Sequence, residues 1–287
     1  MHIRSETTVA TASELLDAAT AADGVAPFSE QFLIGLEDAS RQHTHWVAND
    51  GDVVIGLAAS DGATAELVVH PKYRRHGIGS ALLAKLGGTP VWAHGNLAGA
   101  QALAAAQGMQ LRRELFVMRA ALPLDAPQLP VGFAVWDLQR ARIAIPNIAQ
   151  RWLAVNNAAF DWHPEQGGWD IQRLQQAQET TWFTPKDVLF LIDTTGAHPQ
   201  VAGFHWVKIV PEEKPGVGEV YVVGLSPEYQ GRGLGKALTL VGTQHMWARN
   251  LHEVELYVES DNTPAVATYR ALGFEVSESH ALYGKSE

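Results

Sequence analysis

Gln230-Gly231-Arg232-Gly233-Leu234-Gly235 follows the apolar run Val220-Tyr221-Val222-Val223-Gly224-Leu225-Ser226-Pro227 and precedes a stretch with helical spacing. The same arrangement occurs earlier, where Arg74-Arg75-His76-Gly77-Ile78-Gly79 follows Glu66-Leu67-Val68-Val69-His70-Pro71. In both copies the glycine Gly77 or Gly233 falls six residues after a proline, Pro71 or Pro227, so the strand-turn-helix unit repeats at an offset of 156 residues. A glycine-rich turn opening a helix presents unpaired backbone N–H groups, and the helix dipole adds partial positive charge, so such a turn suits a pyrophosphate. Glycine serves there because a Cβ would block close approach or forbid the required φ.

Neither copy has the Gly-x-Gly-x-x-Gly of a dinucleotide site with its acidic residue, and neither has the Gly-Lys-Ser/Thr of a Walker loop. The pattern resembles the Gln/Arg-x-x-Gly-x-Gly/Ala turn of the GNAT acetyltransferases, in both halves of the chain. The resemblance implies an α/β protein of two tandem GNAT domains, each a mixed, mostly antiparallel sheet flanked by helices, with acetyl-CoA as co-substrate and no metal. It implies coenzyme contacts from Val223, Gly224, Leu225, Gln230, Gly231, Arg232, Gly233, Leu234, Gly235 and Lys236, joined by Asn262, Ala265 and Val266. In the first half the matching positions are Val68, Val69, Arg74, Arg75, His76, Gly77, Ile78 and Gly79.

The 287 residues can bury two ordinary cores, which the repeat favours. Residues 120–132 carry Pro123, Pro127 and Pro130 with little periodicity, as an interdomain linker would. The expected division is a first domain at 1–121, a linker at 122–132 and a second domain at 133–287. The formal charge is −10, with 9 basic against 13 acidic residues through Asp125 and 12 against 18 after it, so neither half has the basic surface of a nucleic-acid binder. With no cysteine, disulfides, thiolate metal sites and cysteine nucleophiles are excluded. The polar first residues lack the apolar stretch of a signal peptide and no window reaches membrane-spanning length, so a cytoplasmic monomer free of membrane is expected. The 12 histidines are scattered, with only His43 and His45 close together, and read as ordinary polar or partly buried residues.

Periodicity predicts helices at 12–22 and 29–40, strands at 45–49, 53–59 and 64–70, a short helix after the first turn, a strand at 90–93, a helix at 99–107 and a strand at 111–119. In the second half it predicts helices at 142–160 and 171–179 and strands at 188–193, 201–209 and 219–225. A helix after the second turn, a strand at 253–259 and a helix at 263–272 follow, the last closed by Gly273 as a C′ glycine before a final strand. Trp136-Asp137-Leu138 and Ile143-Ala144-Ile145-Pro146 open this half irregularly.

Acetyl transfer to an amine needs the amine deprotonated, the thioester oxygen stabilised and the departing thiolate protonated. Residues 261–274, Asp261-Asn262-Thr263-Pro264-Ala265-Val266-Ala267-Thr268-Tyr269-Arg270-Ala271-Leu272-Gly273-Phe274, resemble the second GNAT signature, whose tyrosine often protonates the thiolate, which makes Tyr269 the candidate general acid. Glu219 opens the strand leading to the second turn and is the candidate base, directly or through water, and burial would raise its pKa toward working pH. Alternation puts Glu219, Tyr221 and Val223 on one face. A bulge in that strand would free backbone groups for the pantetheine arm, with the N–H near Val223 polarising the thioester carbonyl. Shifting by 156 residues places Ala63 where Glu219 stands, and matching Gly108-Met109 to Gly273-Phe274 places Ala104 where Tyr269 stands. Glu66 lies an odd number of positions from Ala63 and so points to the other face. The first half is therefore expected to be non-catalytic while retaining a turn for acetyl-CoA.

Tandem GNAT halves, Gly218-Glu219-Val220-Tyr221-Val222-Val223-Gly224, Leu256-Tyr257-Val258-Glu259-Ser260-Asp261-Asn262 and His163-Pro164-Glu165-Gln166-Gly167-Gly168-Trp169 together resemble the mycothiol synthase family over nearly the whole chain. That family acetylates the cysteinyl amine of cysteinyl-glucosaminyl-inositol (desacetylmycothiol), giving mycothiol and CoA. The resemblance implies Glu219 and Tyr269 as catalytic residues and Glu30, Glu165, Lys208 and Tyr257 as contacts to the polyol acceptor. Trp162, Trp169 and Trp182 offer rings that either stack on sugar faces or pack the domain. Two alternatives stand beside this reading: a tandem GNAT acting on another small amine, such as an aminoglycoside or polyamine, and a non-catalytic acetyl-CoA sensor.

Overall fold

The computed structural model describes residues 2–9, 11–163, 166–212 and 214–285. The chain forms two compact units, the first taking everything up to Phe116 together with Glu259–Asp261 and Glu278–Glu287, the second Val117–Val258 with Asn262–Ser277. This division differs from the linker-based one in returning the last residues of the chain to the first unit.

In chain order the first half runs β1 (His2–Glu6), α1 (Ser13–Asp23), α2 (Glu30–Glu37), β2 (Thr44–Asp50), β3 (Val53–Ser60), β4 (Ala65–Val69), α3 (Ile78–Lys85), β5 (Val91–Ala93), α4 (Ala98–Ala106) and β6 (Met109–Ala121). Strands β1 to β4 pair antiparallel in sequence order, β2 to β4 through short turns and β1 to β2 through the two helices α1 and α2. The α3 crossover then makes β5 parallel to β4. Helices cover both faces of this sheet: Leu15, Phe28 and Phe32 pack with Val47, Leu57 and Val68, while Ile78, Leu82 and Ala104 pack with Ala48, Ile55 and Ala58. Strand β1 escaped the periodicity because, mostly exposed beside β2, it carries no apolar alternation.

The second half contains β7 (Phe133–Asp137), α5 (Leu138–Ala144), α6 (Ile148–Ala159), α7 (Ile171–Ala177), β8 (Val188–Asp193), β9 (Gln200–Lys208), β10 (Val217–Leu225), α8 (Leu234–Ala248), β11 (Glu253–Glu259), α9 (Thr263–Ala271) and β12 (Glu275–Lys285). Again four strands, β7 to β10, pair antiparallel, and the α8 crossover makes β11 parallel to β10. Burial on both faces explains the unbroken apolar run of β8. On one face Trp152 sits at the centre of an aromatic core, its ring 5.6 Å from Phe190, 5.7 Å from Phe204 and 5.2 Å from Trp206. On the other, Leu234 and Leu238 of α8 pack on Leu191 and Ala202.

The single helix expected at 142–160 is instead two. Ile145 is extended, as a residue before proline prefers, and Asn147 is left-handed at φ 55°, so α5 stops and α6 starts afresh. Asp137 caps α5 by accepting from the Arg140 N–H, which supplies the helix start that the irregular opening left undefined.

Candidate active site

The two turns repeat in detail. Each begins with a short 3-10 turn, Pro71–Tyr73 or Pro227–Tyr229, in which the tyrosine N–H donates to the carbonyl of His70 (2.8 Å) or Ser226 (2.9 Å). The next side chain then reaches back to a carbonyl five residues earlier: Arg74 Nε donates to Val69 O at 3.1 Å and Gln230 Nε2 to Leu225 O at 3.4 Å. Gly77 and Gly233 cap α3 and α8 with φ of 79° and 74°. A Cβ at Gly77, Gly231 or Gly233 would meet no protein atom, so the left-handed backbone requires these glycines, and the space beyond them is open to a ligand. Where the second turn has Gly231 (φ 73°), the first has Arg75, a non-glycine residue at φ 66°. Ile78 and Leu234 are buried, whereas His76, Arg232 and Lys236 are exposed at the mouth. Arg74 is held by Asp23 through two hydrogen bonds of 2.7 and 2.6 Å, which also raise its pKa, so part of the first turn's positive charge is already paired.

In each unit the strand before the turn leaves its parallel neighbour. Pairing of β4 with β5 covers Ala65 and Glu66 alone, and pairing of β10 with β11 ends at Val220. Val68 and Val69, and likewise Val223, Gly224 and Leu225, therefore lie beyond the paired stretch. In the first unit this opening leads into a cavity of about 780 Å³ lined by Val68, Val69, Arg74, Arg75, Gly77 and Gly79 among others. Such a splay beside helix N-terminal N–H groups fits an extended arm ending in a pyrophosphate.

The bulge expected in the second strand is present. Val220 pairs with Val207 and Val222 with Trp206, which leaves Tyr221 as the extra residue. It changes the faces. Glu219, Lys208 and Glu255 occupy matching register positions on β10, β9 and β11, and Trp206 and Tyr257 lie two residues from Lys208 and Glu255, so all share one face. After the bulge Val222 pairs with Trp206 on this same face, while Val223 joins Leu225 and Leu238 on the other. The expectation that Val223 shares a face with Glu219 is thus corrected, because one inserted residue reverses the alternation.

Register brings Glu219, Lys208 and Tyr257 together. Glu219 is half-buried, and Tyr257 is exposed. The neighbouring carboxylate of Glu255, 1% exposed, is balanced by Arg119 (3.1 Å) and by Lys214. Lys208 Nζ lies 5.3 Å over the Trp182 ring.

Tyr269 is fixed by the end of its helix. Phe274 N–H donates to Tyr269 O (3.0 Å) and Gly273 N–H to Arg270 O (3.0 Å), with Gly273 at φ 92°: a Schellman motif whose apolar contact is Tyr269 against Phe274, ring centroids 5.7 Å apart. The Ala-Leu-Gly-Phe run therefore holds the phenol as well as ending the helix. Although part of the residue reaches the surface, desolvation of its hydroxyl pushes the pKa up to about 12, so it keeps its proton at neutral pH. At the other end of α9, Asn262 Oδ1 accepts from Ala265 N–H at 3.3 Å as the helix cap, and Val266 is buried.

The first unit has an alanine at each of the positions that match Glu219 and Tyr269. Ala63 lies in the exposed turn before β4, and Ala104 is buried in the core. A different polar cluster stands beside its cavity: Glu66 Oε1 is 2.9 Å from His94 Nε2, His94 Nδ1 is 3.2 Å from His280 Nδ1, and Ser29 N–H donates to Glu66 Oε2 at 2.9 Å. Both ring nitrogens of His94 are thus engaged. Their association was invisible to sequence reading because 28 and 186 positions separate the partners. Glu30 is exposed at the start of α2 in the first unit, and Glu165 lies outside the described residues. Trp169 is buried in the core, and Trp162 is exposed against His163. Among the described residues no group of three or more potential ligands is arranged to hold a metal ion, and no helix is long and apolar enough to cross a membrane.

Two turns capping crossover helices beside splayed parallel strands define a tandem GNAT acetyltransferase. Residues 152–274 match the model of the acetyltransferase (GNAT) family, and residues 41–117 match that of an acetyltransferase (GNAT) domain. The fold is shared with a GCN5-related N-acetyltransferase from Sphaerobacter thermophilus (TM-score 0.73, 22% identity, 99% of this chain and 95% of that one). It is shared also with a tandem GNAT protein from the clavulanic acid biosynthesis pathway (TM-score 0.63, 20% identity, all of both chains). Among curated relatives, the mycothiol acetyltransferase of Corynebacterium aurimucosum is 48% identical over 96% of this chain and 94% of its own. That of Mycobacteroides abscessus is 46% identical over 95% and 94%. The chain belongs to the mycothiol acetyltransferase family.

Proposed function

We propose that the chain transfers the acetyl group of acetyl-CoA to the cysteinyl amine of cysteinyl-glucosaminyl-inositol, giving mycothiol and CoA, and that the second half, residues 133–287, carries the reaction. Glu219 takes the proton of the attacking amine, directly or through water. The freed nitrogen attacks the thioester carbonyl, a backbone N–H of the bulged strand near Val223 stabilises the oxyanion, and Tyr269 protonates the departing thiolate. Lys208 and Tyr257, on the face of Glu219, bind acceptor hydroxyls, which must be paired when water leaves. The first half, residues 1–121, holds a second acetyl-CoA without turnover.

One observation carries the reading. A carboxylate beside the strand splay and a phenol locked by its helix end occur together in the second unit, and alanines stand at both positions in the first. The test is mass spectrometry of the purified protein with acetyl-CoA and cysteinyl-glucosaminyl-inositol, beside aminoglycoside and polyamine panels. N-acetyl product from the cysteinyl compound alone is expected. Product elsewhere would change the substrate, and none anywhere would favour a sensor.

A further inference from the structure

Tyr221 is the inserted residue of the bulge, and its ring is firmly placed. It makes T-shaped contacts with Trp182 (centroids 4.9 Å) and Trp206 (5.2 Å), and those two indoles lie 5.8 Å apart. Trp206 is 1% exposed, whereas Tyr221 remains 36% exposed. The exposed Tyr221 ring and the half-buried Trp182 ring make an aromatic wall against the buried Trp206 on the face that carries Glu219, only two residues from Tyr221. The aromatic core beneath is already closed by Trp152 against Phe190 and Phe204, so packing alone does not call for an exposed tyrosine here.

Two features select the chemistry of an occupant. Lys208 already places a cation 5.3 Å over Trp182, so this aromatic surface repels the polycationic tail of an aminoglycoside or polyamine and suits a neutral polyol. The same face carries Glu219 and Lys208, polar side chains able to hydrogen-bond ligand hydroxyls. A pyranose has both requirements in one ring: an apolar C–H face for the aromatic surface and hydroxyls at its rim.

We propose that Tyr221 and Trp182 are specificity residues that bind the sugar ring of the acceptor. The inference rests on Glu219 marking the acceptor side, as in the proposed function. Its test compares cysteinyl-glucosaminyl-inositol with a cysteine amide lacking the sugars. Tyr221→Ala is expected to raise KM for the sugar-bearing acceptor about tenfold while leaving KM for acetyl-CoA and kcat/KM for the amide within about twofold. Tyr221→Phe should restore the wild-type KM, and Trp182→Ala should repeat the loss. Equal losses on both acceptors, a raised KM for acetyl-CoA, or no change would overturn the proposal. A second readout is independent of turnover: calorimetric binding of N-acetylglucosaminyl-inositol, a neutral polyol with no cysteinyl amine to acetylate, should be saturable in the wild type and lost in Tyr221→Ala. Absent binding in the wild type would sink the sugar wall even if acetylation holds. Binding without acetylation would sink the proposed reaction and leave the wall standing.

Discussion

Glu219 and Tyr269 reach their places by different physical means, one through strand register and the other through a helix-ending motif. If each moves a proton in the transition state, Glu219→Ala and Tyr269→Phe should each lower kcat roughly 10²–10³-fold with acetyl-CoA binding retained, measured by steady-state kinetics and calorimetry. The raised phenol pKa gives a second check. Unfolded tyrosine ionises near 10.0, whereas the folded group holds its proton to about 12, so this group's contribution to folding stability is full below pH 10 and is lost as pH rises through that window. Melting temperatures across the window should fall less steeply for Tyr269→Phe than for the wild type. Tyr269 was legible as a residue because Gly273 and Phe274 lie beside it in sequence. The orientation of Val223 was not, because a bulge depends on where the partner strand's residues fall.

The two glycine turns are the clearest case of local sequence dictating an element. Proline, a short 3-10 turn and a left-handed glycine are all near-neighbour effects, and both copies fold alike. Gly233→Val forces a β-branched residue to a φ of 74° and fills the open space beyond it, so acetyl-CoA affinity at that turn should fall by about tenfold or more, read by calorimetry. Other glycines answer to contacts distant in sequence. A Cβ on Gly242 of α8 would lie 2.0 Å from the ring of His205 on β9, so Gly242→Ala should destabilise the protein by about 2–3 kcal/mol in denaturant unfolding. His205 itself is fully buried with its Nδ1 at 3.0 Å from Leu238 O, and burial lowers its pKa to about 4. Nothing in the helical spacing of residues 234–248 announces that close approach.

For the molecule as a whole, the glycine turn occurs twice, whereas the pair Glu219 and Tyr269 occurs once, with Ala63 and Ala104 at the matching positions. If both turns bind, calorimetry of the wild type should give about two acetyl-CoA per chain, with Gly77→Val removing the first unit's share and Gly233→Val the second unit's share together with turnover. A stoichiometry of one that Gly77→Val does not alter would remove the first turn from the account. By itself the sequence determined the repeat, the α/β order of nearly every element, the two turns and the residue types available for proton transfer, because each is written in spacing that acts over a few residues. Tertiary structure decided the rest. It split the helix at Ile145, gave the residues from Glu278 onward to the first unit, and inserted Tyr221 as a bulge so that Glu219, Tyr221 and Val222 share a face. It also joined Glu66, His94 and His280 into one cluster. Those outcomes rest on which strand pairs with which and at what register, and pairing between distant segments is set by packing and backbone hydrogen bonding that no local pattern encodes.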